Sequence, residues 1–158
     1  MKFDQKRRLF LKGSMAAGSV GLAIGAGLLT PSAVLAAWNQ SAFGAKSVDE
    51  AIKAAAGNPL TEPSDKITIK APDIAENGAV VPVSVVADLD GVESITLLVE
   101  KNATPLSAIF HLPEGTLPNV STRVKMGKTG DVIAVVKAKG KLYSARKGVK
   151  VTIGGCGG

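Results

Sequence analysis

The sequence predicts an all-β domain: an immunoglobulin-like antiparallel β-sandwich of about seven strands, preceded by one short N-terminal helix and ending in a flexible glycine-rich C-terminal arm. Three observations carry this. Beyond Pro63 the apolar residues recur at every second position, the period of strands with one buried face. Glycine-centred turn signals cut those runs into short pieces. Aromatic residues make up only 4% of the chain, so the core has to be built from Val, Ile, Leu and Ala. A small barrel fits the same pattern and stands as the alternative.

Residues 1–36 carry the layout of an export signal rather than of a fold. Arg7 and Arg8 open the run Arg7-Arg8-Leu9-Phe10-Leu11-Lys12, a twin-arginine sequence. Gly13 to Leu29 is apolar but diluted by glycine, and it falls short of the roughly 20 strongly apolar residues that a membrane span needs. Small residues around Val34-Leu35-Ala36 place the expected cleavage after Ala36. A protein with this signal is expected to be exported folded into the periplasm, with no membrane association once the signal is removed. That compartment favours disulfides, yet Cys156 is the only cysteine, so no internal disulfide can form.

Most of the basic character belongs to the signal. The formal charge of +6 falls to +2 when residues 1–36 are set aside. What remains is uneven: residues 119–158 carry nine basic side chains and one acidic.

Residues 37–63 offer one helix. Ser47 as N-cap with Glu50 three residues on forms an S-x-x-E capping box, and Val48, Ile52, Ala55 and Ala56 make an apolar stripe that Gly57 and Pro59 end. Residues 64–153 then read as strands. Ala79, Val81, Val83, Val85, Ala87 and Leu89 alternate in one run, and Ile95, Leu97 and Val99 in the next. Val120, Thr122, Val124 and Met126 oppose Ser121, Arg123 and Lys125, while Val149, Val151 and Ile153 oppose Lys150 and Thr152. Turns fall at Asn77-Gly78, Asp90-Gly91, Gly130, Gly140 and Gly148. Pro82 lacks a ladder donor, which predicts an edge position or a bulge. The core is small for its area, so a second subunit covering apolar sheet surface is expected.

The search for chemistry is short. His111, the only histidine, lies on the strand face opposite Ala108, Phe110 and Leu112 with no local orienting partner; it reads as a surface or partner-facing residue rather than a catalytic base. One cysteine and one histidine cannot fill a zinc shell, no carboxylate cluster suits calcium, and no phosphate-binding loop is present. The sequence therefore predicts no catalytic residues, no metal and no cofactor. A nucleic-acid role is excluded by the compartment and the lack of interleaved aromatics.

What stands out is Gly154-Gly155-Cys156-Gly157-Gly158. A lone thiol is usually buried, but four glycines offer no side chains to pack around this one. Residues 154–158 read as a thin, pliable arm able to enter a narrow channel in another protein. The thiol is a nucleophile that a partner's charge would have to activate, since a free cysteine has a pKa of about 8.5. Lys147 and Lys150, near the root of the arm, are candidates to attract an anion or an acidic partner.

This ending on a twin-arginine-exported, immunoglobulin-like domain resembles the SoxY family, the substrate carriers of the Sox thiosulfate-oxidising system. The resemblance implies that Cys156 is the covalent attachment site, carried on Gly154, Gly155, Gly157 and Gly158 as a swinging arm. It implies a permanent heterodimer with a SoxZ-like subunit. It further implies transient visits to SoxAX, a c-type haem enzyme that joins thiosulfate to the cysteine as an S-thiosulfonate; to SoxB, a dimanganese hydrolase that releases sulfate; and to SoxCD, a sulfane dehydrogenase. On this reading the chain is a non-catalytic carrier. Two other readings compete: a C-terminal diglycine sulfur carrier activated at its carboxylate, which export disfavours because that activation needs ATP, and a structural periplasmic sandwich whose cysteine crosslinks two copies.

Overall fold

In the computed structural model, residues 39–152 are described. The export signal with Arg7 and Arg8, its cleavage site, Ile153 and the pentapeptide containing Cys156 lie outside the described residues. Two helices come first, α1 (Gln40–Gly44) and α2 (Val48–Ala56). Ser47 caps α2 as its sequence requires, its side chain accepting from the Glu50 N–H at 3.2 Å. The reciprocal bond of the capping box falls one residue early: the Glu50 carboxylate accepts from Lys46 N–H at 3.2 Å. Gly57 closes the helix, donating to the Lys53 carbonyl at 2.8 Å. Helix α1 is an addition to the sequence reading. Its five residues are too few to show an apolar period, and Asn39 holds it, accepting from Ala42 N–H and donating to the Ala54 carbonyl of α2 at 2.9 Å.

Nine strands follow: β1 (Glu62–Pro63), β2 (Ile67–Lys70), β3 (Ile74–Ala75), β4 (Val81–Ala87), β5 (Val92–Val99), β6 (Leu106–His111), β7 (Asn119–Val124), β8 (Gly130–Ala138) and β9 (Lys141–Val151). Seven of them are four residues or longer, the number expected, although Gly148, read as a turn, lies inside β9 opposite Asp131. They form two sheets, one ordered β1-β9-β8-β5-β6 with β3 also pairing β9, the other β2-β4-β7. All pairings are antiparallel except those of the two-residue strands β1 and β3, which run parallel to β9. The fold is thus the mostly antiparallel sandwich with a short N-terminal helical segment.

The core between the sheets is aliphatic. Val81, Val83 and Val85 of β4 meet Ile95, Leu97 and Val99 of β5 and Val132, Ala134 and Val136 of β8, all 2% exposed or less. A second apolar layer lies on the other face of the larger sheet, where Leu98, Ile133, Val135 and Leu142 pack on Ala42, Ala51 and Ile52 of the helices. This corrects the expectation of one buried face per strand: β5 and β8 are covered on both sides. Their sequences say so in retrospect, because Thr96-Leu97-Leu98-Val99 and Val132-Ile133-Ala134-Val135-Val136 are near-continuous rather than alternating. Part of the cover that a small core demands is therefore supplied by the chain's own helices.

Pro82 needs a second correction. Strand β4 is the middle strand of its sheet, not an edge. Yet β2 ends at Lys70, opposite Ser84, so Pro82 has a neighbour, Arg123, on the β7 side alone. Ala87 N–H bonds to the Pro118 carbonyl on that side and Asp88 N–H to the Lys66 carbonyl on the other. In an antiparallel ladder these alternate, so the donor missing at Pro82 is one that would face the position beyond the end of β2. The proline is tolerated because the partner strand has stopped.

The β8–β9 connection is the tightest in the fold. Ala138 pairs with Lys141, leaving Lys139 (φ 50°) and Gly140 (φ 75°) as a two-residue turn with both central residues left-handed, the geometry that matches strand twist. This hairpin launches β9, the 11-residue strand that leads to the arm.

Candidate functional site at the end of strand β9

The last described residues, Val151 and Thr152, lead toward the segment expected to form the arm, and three segments hold them. On one side β3 runs alongside, pairing Ile74 with Lys150 and Ala75 with Val151. Lys150 N–H donates to the Asp73 carbonyl at 2.9 Å and Thr152 N–H to the Ala75 carbonyl at 3.1 Å. On the other side the Thr129 hydroxyl lies across the edge of Val151, accepting its N–H at 2.9 Å and donating to its carbonyl at 3.3 Å. The β7–β8 loop that supplies Thr129 is itself pinned by Asn102, which donates to the Lys125 carbonyl and accepts from Gly127 N–H.

Gly78 completes the clamp. A Cβ at this position would stand 2.4 Å from the Met126 carbonyl oxygen and 2.8 Å from Val151 Cγ1. The Met126 backbone cannot step aside cheaply, because its N–H donates to the Gly78 carbonyl at 2.7 Å. Gly78→Ala should therefore cost about 1–3 kcal/mol, the usual range for overpacking. Amide hydrogen exchange should show faster opening of Val151 and Thr152 than of the distant Lys139–Gly140 turn.

The charges here are arranged in a pattern. Lys147 Nζ is hydrogen-bonded to the Asp73 carboxylate, and this bond and its charge hold the Asp73 carboxyl below its ordinary value of 3.8. Because the folded value is the depressed one, the pairing is fully present above the ordinary carboxylate range and is lost as pH falls through the lowered value. Carboxyl titration followed by NMR should place Asp73 below a free aspartate in the native protein and return it to the ordinary range in Lys147→Gln. Arg146 faces Asp131 at 4.0 Å. Lys125, Lys128 and Lys150 are exposed and make no ion pair among the described residues.

Of the residues singled out in the sequence, Lys147 and Lys150 lie at this end of the sandwich, and Cys156 with Gly154, Gly155, Gly157 and Gly158 lies outside the described residues. His111 is elsewhere. It pairs with Ser94, which pairs with Lys137, which pairs with Leu142 near the start of β9. Seven residues of strand separate Leu142 from Val149, about 23 Å at ~3.3 Å per residue. His111 instead borders a cavity of about 170 Å³ against Ala55, Ala56 and Ile109 on the helical face. Sequence reasoning missed Asp73, Thr129 and Gly78 as parts of the arm root. Asn77-Gly78 announces a turn, but nothing local reveals that the glycine touches a strand more than 70 residues away.

Among the described residues no group of three or more His, Cys, Asp or Glu side chains is placed to hold a metal ion, and no helix is long and apolar enough to cross a membrane.

A family profile described as "Sulfur oxidation protein SoxY" matches residues 52–156. Among solved structures, the sulfur carrier protein SoxY from Chlorobium limicola f thiosulfatophilum is 44% identical with a TM-score of 0.63, over 68% of this chain and 97% of that one. A superoxide reductase (neelaredoxin) from Ignicoccus hospitalis is 21% identical with a TM-score of 0.49, over 55% of this chain and 80% of that one. No curated protein sequence matches.

Proposed function

Because the chain belongs to the SoxY family of sulfur oxidation proteins, we propose that it is a periplasmic carrier that binds thiosulfate and its oxidation intermediates covalently on Cys156 and presents them to separate enzymes. The observation that carries the reading is that the family region runs to residue 156, and so takes in the one cysteine of the chain. Supporting it, β9 ends in a clamp of hydrogen bonds that fixes the point of departure of the arm. Carrier chemistry asks for this division: a rigid root, then a segment free of side chains that can reach into an enzyme. From Thr152, four residues span at most about 14 Å to Cys156.

The loading step balances as an oxidation. The Cys156 thiol and thiosulfate join through a new sulfur–sulfur bond, releasing one proton and two electrons, which a haem enzyme of SoxAX type accepts. Water then cleaves the bond to the sulfonate sulfur in a SoxB-type hydrolase, releasing sulfate and leaving a persulfide on Cys156. A sulfane dehydrogenase of SoxCD type oxidises that sulfur further. A SoxZ-like subunit is the permanent partner, and the twin-arginine signal led by Arg7 and Arg8 exports the folded pair.

The test is mass spectrometry of the C-terminal peptide from protein purified from thiosulfate-grown cells. Sulfur adducts on Cys156 are expected. Adducts confined to the terminal carboxylate, or a reducible dimer with no adduct, would overturn the reading in favour of a diglycine carrier or a crosslinking sandwich.

A further inference from the structure

Three lysines near the end of strand β9 make no ion pair among the described residues. Lys150 is two residues before Thr152. Lys128 adjoins Thr129, whose hydroxyl holds both polar groups of Val151. The Lys125 carbonyl is tied by Asn102 to the same loop, and Met126 beside it is bonded to Gly78, which stands against Val151. All three lysines are exposed and none has an acidic partner among the described residues, whereas neighbouring Lys147 and Arg146 are answered by Asp73 and Asp131. The opposing charge at this end is Glu76, exposed in the loop after Ala75 and unpaired among the described residues.

We infer that Lys125, Lys128 and Lys150 form a cationic collar at the root of the arm that favours the Cys156 thiolate and its anionic sulfur adducts and draws small sulfur oxyanions toward the thiol. The inference rests on the carrier reading and adds positioning residues to it. The thiol has no cation beside it in sequence to activate it, since its four neighbours are glycines. Cations within the short span of the arm supply what those neighbours cannot. The effect acts through space, so it requires no fixed contact.

The experiment compares Cys156 modification by a dianionic aromatic disulfide, 5,5′-dithiobis(2-nitrobenzoate), and a neutral one, 4,4′-dithiodipyridine, at one pH. The thiolate attacks both and expels an aryl thiolate, so their rate ratio cancels the thiolate fraction and reports the local potential. Three unit charges at ~12–15 Å should raise the ratio about fivefold at ~10 mM ionic strength and less than about twofold at ~0.15 M. Replacing Lys125, Lys128 and Lys150 together by Gln should remove that enhancement, and Glu76→Gln should increase it. A ratio unchanged in the triple variant at low salt, or a native ratio insensitive to salt, would overturn the collar. A fall in both rates by the same factor, with the ratio unchanged, would do the same, since a local potential must move the ratio along with the thiolate fraction. The salt titration of the native protein gives its answer even if the triple variant folds poorly. Adducts found on Cys156 without a salt-dependent ratio would sink the collar alone, while absent adducts would sink the carrier reading whatever the ratio.

Discussion

Cys156→Ser is expected to abolish sulfur loading completely while leaving the domain as stable as before. The hydroxyl of serine is far less acidic than a thiol and cannot form the sulfur–sulfur bond on which loading depends, so partial activity is not expected. Stability should be preserved because cysteine and serine differ by one atom and both apolar layers among the described residues are left intact. Substitutions away from such layers usually change it by no more than about 0.5 kcal/mol. Intact-mass measurement after incubation with thiosulfate and the loading enzyme, paired with a urea melt, reads both quantities. Adducts retained by the serine variant would mean that another group, the terminal carboxylate first, carries the cargo.

The largest expected effect on stability comes from the middle of β5. Leu97 is fully buried, pairs with Ala134 on β8 and Ala108 on β6, and points into the layer between the sheets. Both flanking residues are alanine, so neither can swing a longer side chain into the space that truncation leaves. Leu97→Ala should cost about 3–5 kcal/mol, the upper part of the range for buried leucine, against a total of roughly 5–15 kcal/mol for an ordinary domain. The midpoint of urea unfolding should fall with its slope unchanged. Leu97→Met, which nearly conserves volume, should cost less than about 1.5 kcal/mol. The truncated variant, kept cold enough to stay folded, should still load sulfur, because Leu97 belongs to the scaffold and not to the arm.

Much of the fold was legible because alternation and turn chemistry are local properties of the chain. Val81 to Ala87, Val120 to Val124 and the Lys139-Gly140 turn announce themselves within a few residues. Other features depend on what the strands meet. Leu98, Ile133 and Val135 are buried by helices more than 40 residues earlier, and no strand period can say which element will cover the second face. Pro82 misled for a related reason: the rule about edges holds at the level of one hydrogen bond, and only the length of β2 shows that the bond is not needed. At the site, the proposed chemistry rests on the composition of one pentapeptide, a cysteine among four glycines, which lies outside the described residues. The surroundings of the arm root were not legible, because Asp73, Gly78 and Thr129 reach β9 from three separate loops.

The way β9 is paired has a mechanical consequence. It is bound along one edge by β8 over nine residues and along the other by β1 and β3. Sheet hydrogen bonds lie across the strand direction, so a tug applied to the chain beyond Thr152 strains many bonds together in shear instead of opening them one at a time. A tether anchored in this way can be pulled on repeatedly and return to the same length.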